Sequence, residues 1–322
     1  MENIMKRCSL RGPKMASTTS MVLLISALCL CLPAIAVADA YTDAQAAYKA
    51  KKFDQAIKLY TQAAVQGHGP SQTDLAVMYF FGRGVKRDFA AAGKWHRMAA
   101  DQGQVLSQTN LAVMYDNGQG VPRDYGEAAI WYAKAAMQGD AYAQNALGAR
   151  YQYGKGVAQD LTQAVHWYGK AGAQGVAMAQ FNLAYLHETG QGTAQSFASA
   201  ATWYQKAAER GEVEAQYRLG LLYTRGQGVE QSFVEARKWY LKAAAQNHAI
   251  SQTNLGIFYA KGEGVAADYI QAFKYFAQAG DNGDEVAHKY RVLIAKRLSP
   301  DELAKAKKLV RAGQEAHRVQ RK

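Results

Sequence analysis

Six Gly-x-Gly pairs stand at Gly82/Gly84, Gly118/Gly120, Gly154/Gly156, Gly190/Gly192, Gly226/Gly228 and Gly262/Gly264. Glycine pairs cradle phosphates where a strand turns into a helix, because backbone N–H groups then converge on the anion. The stretch Gly82-Arg83-Gly84-Val85-Lys86-Arg87 lacks the third glycine of that fingerprint and follows a helical pattern, so no cofactor is expected. His187-Glu188-Thr189-Gly190-Gln191 lacks the second histidine of a zinc-protease helix, and the 7 histidines are scattered without ligand spacing. No metal site is expected. All 3 cysteines, Cys8, Cys29 and Cys31, lie before residue 39, which argues against thiol catalysis and disulfides beyond it. No catalytic residue is expected.

The glycine pairs recur every 36 residues, a fixed period that marks stacked supersecondary units, and all twelve glycines are expected to be structural turns of the repeat. Before each pair runs a helical pattern with a Leu (Leu75, Leu111, Leu147, Leu183, Leu219, Leu255) followed by a small residue (Ala76, Ala112, Gly148, Ala184, Gly220, Gly256). An aromatic usually comes three positions after the small one (Tyr79, Tyr115, Tyr151, Tyr223, Tyr259), and His187 takes that place once, where a packed and hydrogen-bonded core role is expected. The glycines permit positive φ where the first helix stops. A second helix then starts at Asp88, Asp124, Asp160, Ser196, Ser232 or Asp268, all good N-caps, and Glu127, Gln163, Glu235 and Gln271 complete capping boxes. Along it an Ala, then Trp95, Trp131, Trp167, Trp203, Trp239 or Tyr275, then a second Ala share one face, so the large ring is expected to fill the gap between units. Units end at Gly67, Gly103, Gly139, Gly175, Gly211, Asn247 or Gly283.

The termini differ from this pattern. Residues 1–38 combine Lys6, Arg7, Arg11 and Lys14 with an uncharged run from Met21 to Leu32 and Ala36-Val37-Ala38, the three parts of a signal peptide cleaved after Ala38. Residues 39–67 read as an atypical helix pair without the glycine loop, 68–298 as the solenoid proper, 299–317 as a capping helix opened by Ser299-Pro300-Asp301-Glu302, and 318–322 as a basic tail. The net charge of +12 is concentrated at the ends: Lys289–Lys322 holds 11 Lys/Arg against 3 Asp/Glu. The repeat body is nearly neutral, so a nucleic-acid groove is not expected, whereas the basic last helix could touch a membrane surface or an acidic partner.

Segments such as Leu147-Gly148-Ala149-Arg150-Tyr151-Gln152-Tyr153-Gly154-Lys155-Gly156-Val157, continued by Ala164-Val165-His166-Trp167-Tyr168-Gly169-Lys170-Ala171, resemble the SEL-like repeat (SLR) branch of the tetratricopeptide-repeat superfamily. The resemblance covers about residues 67 to 290. It implies an all-α fold, a right-handed α-solenoid of stacked antiparallel helix pairs, that binds a protein or peptide and has no catalytic residue. A cysteine-rich branch of that family is associated with β-lactam binding and hydrolysis; its cysteine pairs, and any Ser-x-x-Lys or Lys-Thr-Gly, are missing after residue 38.

If Leu75 and Tyr79 face inward, Pro70, Thr73, Val77, Phe80 and Phe81 form the opposite stripe of the first helix, and the resemblance places that stripe on a concave groove. Steps of 36 carry it to Tyr142, Asn145, Ala149, Gln152 and Tyr153, to Met178, Phe181, Tyr185 and Glu188, to Glu214, Tyr217, Leu221 and Arg225, and to Thr253, Ile257 and Lys261. The expected partner-binding residues are Tyr142, Asn145, Tyr153, Phe181, Tyr185, Tyr217, Arg225 and Lys261, aromatic anchors with polar neighbours. The same rings could instead pack between units. The function expected is that of an exported, non-catalytic scaffold or regulator, periplasmic or secreted, with a secreted factor that binds a host protein as the alternative.

Overall fold

The computed structural model of the chain describes residues 37–320, which form sixteen α-helices and no strand. The expected signal peptide lies outside the described residues up to position 36, as do 321–322 of the basic tail. Among the described residues no helix is long and apolar enough to cross a membrane.

The chain divides at Arg123/Asp124 into two units. The first contains α1 (37–49), α2 (Phe53–Val65), α3 (Gly69–Phe81), α4 (Phe89–Asp101) and α5 (Val105–Asn117). The second contains α6 (Tyr125–Met137), α7 (Ala141–Tyr153), α8 (Leu161–Ala173), α9 (Ala177–Thr189), α10 (Phe197–Glu209), α11 (Val213–Arg225), α12 (Phe233–Ala245), α13 (Ala249–Lys261), α14 (Tyr269–Asp281), α15 (Glu285–Ala295) and α16 (Pro300–Gln320). Within each unit every helix packs on the next in sequence, the pattern of stacked antiparallel pairs, with α1 joined to α2 through Ala44, Ala47, Ala56 and Tyr60, until α16, which packs on α14. The final helix runs to Gln320, past the end expected at His317.

The glycine pairs turn out to have two different tasks. The first of each pair ends its helix in the left-handed conformation, as Gly154 does at φ 65°. The second, Gly156 in the same loop, brings bare backbone against the start of the second helix in the preceding pair, where a Cβ would stand 1.9 Å from the Tyr125 carbonyl oxygen. Gly84, Gly120, Gly192, Gly228 and Gly264 lie in the turns at positive φ as expected and add the same close approach. A Cβ at Gly120 would stand 2.0 Å from the Phe89 carbonyl oxygen, and one at Gly192 2.3 Å from that of Leu161. At Gly228 and Gly264 it would meet the carbonyl carbons of Phe197 and Phe233 at 2.2 and 2.5 Å, and at Gly84 it would meet Phe53 Cβ at 2.7 Å. The physical reason is contact between repeats: each second glycine lets its loop lie directly on the first residue of α2, α4, α6, α8, α10 or α12, which no side chain would permit.

The six expected N-caps all accept a backbone N–H. In three of the four expected capping boxes, those of Gln163, Glu235 and Gln271, the return half is not made. The N–H groups of Asp160, Ser232 and Asp268 donate instead to the carbonyls of Tyr151, Tyr223 and Tyr259, which ties each second helix to the first. Glu127 receives the Trp131 indole N–H at 3.1 Å. The box does close at α16, where Ser299 N–H donates to Glu302 Oε2 at 2.9 Å and Glu302 N–H to Ser299 Oγ at 3.3 Å.

The inward Leu series is fully or nearly fully buried. Trp203 and Trp239 pack against the cluster of the preceding repeat, as expected of rings between units. In α8, α10, α12 and α14 the deepest ring is the residue after the Trp or its counterpart Tyr275: Tyr168, Tyr204, Tyr240 and Phe276 fill the interior of the pair, His96 takes this place in α4, and in α6 Trp131 and Tyr132 are both buried. Where the small residue of the first helix is glycine it makes room for that ring, since a Cβ on Gly148 would lie 2.8 Å from Tyr168 Cδ1. His187 departs from expectation: it is half-buried, and its Nδ1 is buried without a hydrogen-bond partner.

A polar ladder runs through this apolar packing. Gln72, Gln108, Gln144, Gln180, Gln216 and Gln252 are buried, and each Nε2 donates to a carbonyl eight residues earlier, for example Gln216 to Ala208 at 3.1 Å. The Oε1 of Gln144 then accepts from Gln174 at 2.8 Å and that of Gln216 from Gln246 at 3.0 Å. At the matching place for Gln180 the chain has Arg210, and Gln180 Oε1 is buried without a partner. A buried acceptor left unpaired costs about 1–3 kcal/mol. Arg210→Gln should therefore restore the rung and raise stability by about 1 kcal/mol in urea denaturation, and no gain would show that Gln180 is satisfied otherwise.

Candidate functional site

In the second unit the variable stripe of α7, α9 and α11 borders a cleft of about 670 Å³, lined by Gln152, Tyr153, Gln159, Leu161, Phe181, Asn182, Tyr185, Gln191 and Arg218. The cleft brings together Tyr153, Phe181 and Tyr185 from the expected residues. Tyr153 is the most open, 72% exposed at the end of α7. Gln191, the middle residue of a glycine pair, and Gln159, just beyond another, supply amides from the loops. Phe181 is half-buried, its ring 5.7 Å from that of Tyr204.

The other expected residues lie outside this lining. Tyr142 is exposed beside Tyr132, 6.3 Å between centroids. Asn145 is half-buried with its Oδ1 unpartnered. Tyr217 packs on Tyr240 and on His248, at 6.3 and 5.0 Å. Arg225 is exposed, and Lys261 is exposed with Glu263 Oε1 3.6 Å away. Lys261 belongs to a second cleft of about 350 Å³ between α13 and α15. Thr73 and Thr253, placed on the stripe by their register, are instead buried, because a short hydroxyl at that position reaches the neighbouring helix: Thr73 Oγ1 meets Ser107 Oγ at 2.8 Å, and Thr253 Oγ1 donates to Asp284 Oδ2 at 2.6 Å.

Arg218, which the aromatic stripe did not single out, is the charged centre of the cleft. Its Nε donates to Glu214 Oε1 at 3.1 Å one turn back on α11, and its Nη1 stands 3.8 Å from Glu188 of α9. Its guanidinium lies 5.9 Å from the ring centroids of both Tyr185 and Tyr217. Glu188 also accepts from the Tyr204 hydroxyl at 2.6 Å; burial first, then this carboxylate, pushes the Tyr204 phenol well above its ordinary range. Glu214 Oε2 is 3.3 Å from His248 Nε2. The hydrogen bond from His248, aided by Arg218 and opposed by burial, holds Glu214 below the usual carboxylate range. His248 Nδ1 accepts the Ser251 N–H at 3.2 Å as the N-cap of α13, so the imidazole proton sits on Nε2 and points to Glu214. The sequence signal for Arg218 was the i, i+4 pair Glu214/Arg218, a spacing at which opposite charges meet on one helix face.

This arrangement offers aromatic faces, side-chain amides that match the donors and acceptors of an extended backbone, and one guanidinium already oriented by two carboxylates. The long side chains of Arg218, Glu188 and Glu214 are held in place by one another.

The Sel1 repeat model matches residues 45–68, 69–104, 105–140, 141–176, 177–212, 213–248 and 249–284. The chain belongs to the Sel1 repeat family. Sel1 repeat proteins generally mediate protein–protein interaction, typically as non-catalytic scaffolds. The helix pair without a glycine loop is thus a shortened first repeat, matched from residue 45. Among solved structures the chain is similar to a protective antigen present in uropathogenic Escherichia coli strains that displays an SLR fold, at 34% identity and a TM-score of 0.71, covering 81% of this chain and 56% of that one. The chain thus spans little more than half the length of that antigen. It is also similar to a Sel1 repeat protein from Oxalobacter formigenes, at 27% identity and a TM-score of 0.63, covering 75% of this chain and 96% of the other. No curated protein sequence matches it significantly. Among the described residues no group of three or more His, Cys, Asp or Glu side chains is placed to hold a metal ion.

Proposed function

We propose that this Sel1 repeat protein is an exported scaffold or regulator that takes an extended segment of a protein partner into the cleft between α7, α9 and α11. The observation that carries this is the convergence of Tyr153, Phe181, Tyr185, Asn182, Gln152 and Arg218 on one open cavity. Aromatic anchors at the centre of an interface are each worth about 2 kcal/mol when truncated, and amides alongside them fix the register of a bound backbone. Phe181 and Tyr217 also pack internally, so they are poor positions at which to separate binding from folding. Tyr153, which is exposed, and Tyr185 at the cleft are the informative pair.

Crosslinking in intact cells followed by mass spectrometry identifies the partner. Tyr153→Ala and Tyr185→Ala should then each weaken binding about 30-fold, while Tyr153→Ala leaves the melting transition nearly unchanged. Undiminished binding by both variants would rule out this cleft.

Export rests on the basic, apolar and Ala-x-Ala segments of residues 1–38. Fractionation with amino-terminal sequencing should find a mature chain beginning at Asp39. A second reading is a secreted factor that engages a host protein. It is favoured by the similarity to an antigen of uropathogenic bacteria, and recovery of the chain in culture medium rather than the periplasmic fraction would select it.

A further inference from the structure

Six repeats bury a Leu at one register of the first helix, Leu75 through Leu255 in steps of 36, and one step beyond Leu255 stands Arg291. The substitution is possible because α15 has no regular second helix. The following helix, α16, lies on α14 through Leu303, Ala306 and Val310. That placement leaves a cleft of about 400 Å³, lined by Phe273, Ala277, Arg291, Lys307, Val310 and Arg311. Its apolar side is well packed, with Phe273 and Ala277 7% and 1% exposed. Its polar side is three cations, two of them one turn apart on the exposed side of α16. No carboxylate belongs to the lining. Arg291 Nη2 donates to His288 Nδ1 at 3.1 Å, which orients the guanidinium from its own helix.

Three like charges around one cavity repel each other unless an anion sits among them, and an apolar wall on one side strengthens the attraction by keeping water away. A guanidinium fork with a nearby ammonium matches a tetrahedral oxyanion of charge near −2. We infer that the cleft between α14, α15 and α16 is an anion site that takes a phosphate group, carried either by a free phosphate compound or by a lipid headgroup. The site lies at the far end of the second unit's sequence from the α7–α9–α11 cleft, shares no lining residue with it and stands independently of the proposed partner binding.

The test uses the full mature chain. Inorganic pyrophosphate is titrated by calorimetry at low salt. In parallel, sedimentation is measured with phosphatidylcholine vesicles with and without phosphatidylglycerol. The variant Arg291→Gln with Lys307→Gln removes two cleft charges. Lys305→Gln with Lys308→Gln removes two charges from α16 outside the lining. The cleft variant should lose about 100-fold in affinity, about tenfold per cation, and the control no more than about threefold. If Arg291→Gln lowers the melting transition, Lys307→Gln with Arg311→Gln, both on the exposed side of α16, replaces it. Pyrophosphate binding with this dependence assigns a free phosphate compound. Vesicle binding with the same dependence and no pyrophosphate binding assigns a headgroup. Equal loss in cleft and control variants, or binding in neither arm, overturns the site.

Discussion

Gly156→Ala should cost at least about 3 kcal/mol of stability, the largest effect expected here from the addition of a single methyl group. Gly156 has φ +82°, where a Cβ is strained by about 1 kcal/mol in its own right. The added methyl would also lie 1.9 Å from the Tyr125 carbonyl oxygen and 2.3 Å from the carbonyl carbon, well inside van der Waals contact with backbone that cannot swing away. Relief requires α6 and the loop to part, which opens the packed pair between them. Gly139→Ala is the matched control. Its φ is +96°, yet nothing lies within 4 Å of the added Cβ, so only the backbone term remains, about 1 kcal/mol. Urea denaturation of both variants separates the two contributions, and equal costs would show that the close approach to Tyr125 is not rigid.

The protein should also lose about 2 kcal/mol of stability between pH 7 and pH 5 through His96 alone. This imidazole is 1% exposed, in the interior position held elsewhere by Tyr or Phe, and its Nδ1 meets Ser107 Oγ at 3.0 Å. Burial pushes it down to about 4 from the ordinary 6.5. The unfolded chain therefore binds a proton at pH 5 that the folded chain does not. Stability is complete above 6.5 and erodes as the pH falls towards 4. His68 and His187, lowered by burial as well, act in the same direction. His96→Phe, which supplies the ring that Phe276 supplies in α14, should flatten the pH slope by about 2 kcal/mol. An unchanged slope would mean that protonation of the folded chain is accommodated at that site.

Much of the fold was legible because its determinants are local and repeated. A helix start needs an N-cap, and Asp88 or Ser196 shows it in one letter. A left-handed helix end needs Gly or Asn, and Gly67 through Gly283 mark it. The second glycine of each pair was legible as a glycine and not as a contact, because the backbone it touches lies about thirty residues earlier in the preceding repeat. The Gln ladder carried the same 36-residue signal and was missed, because glutamine in a helix reads as a solvated residue unless its periodicity is weighed against its polarity. The interior ring was missed for the opposite reason. Trp95 and its counterparts drew attention by size, while outside α6 the neighbouring Tyr, Phe or His96 takes the deeper place.

The candidate site divides along similar lines. Steps of 36 from a single helix put Tyr153, Phe181 and Tyr185 on one stripe, since identical helices stacked at a fixed offset present the same register to the same side. Register alone could not say that Thr73 and Thr253 bond inward, that Phe181 and Tyr217 lean on the rings of Tyr204 and Tyr240, or that Arg218 joins Glu188 to Glu214. Those outcomes depend on side-chain length and on which partner a neighbouring helix brings within about 3 Å, distances that repeat periodicity does not encode. The amino-acid sequence by itself determined the period, the helix boundaries and the Sel1 class, because each rests on short-range backbone chemistry copied from unit to unit. Tertiary structure decided where the copies differ in effect: the second glycine pressed on a carbonyl, the arginine held between two carboxylates, and Arg291 turned by the displaced last helix into a three-cation cleft.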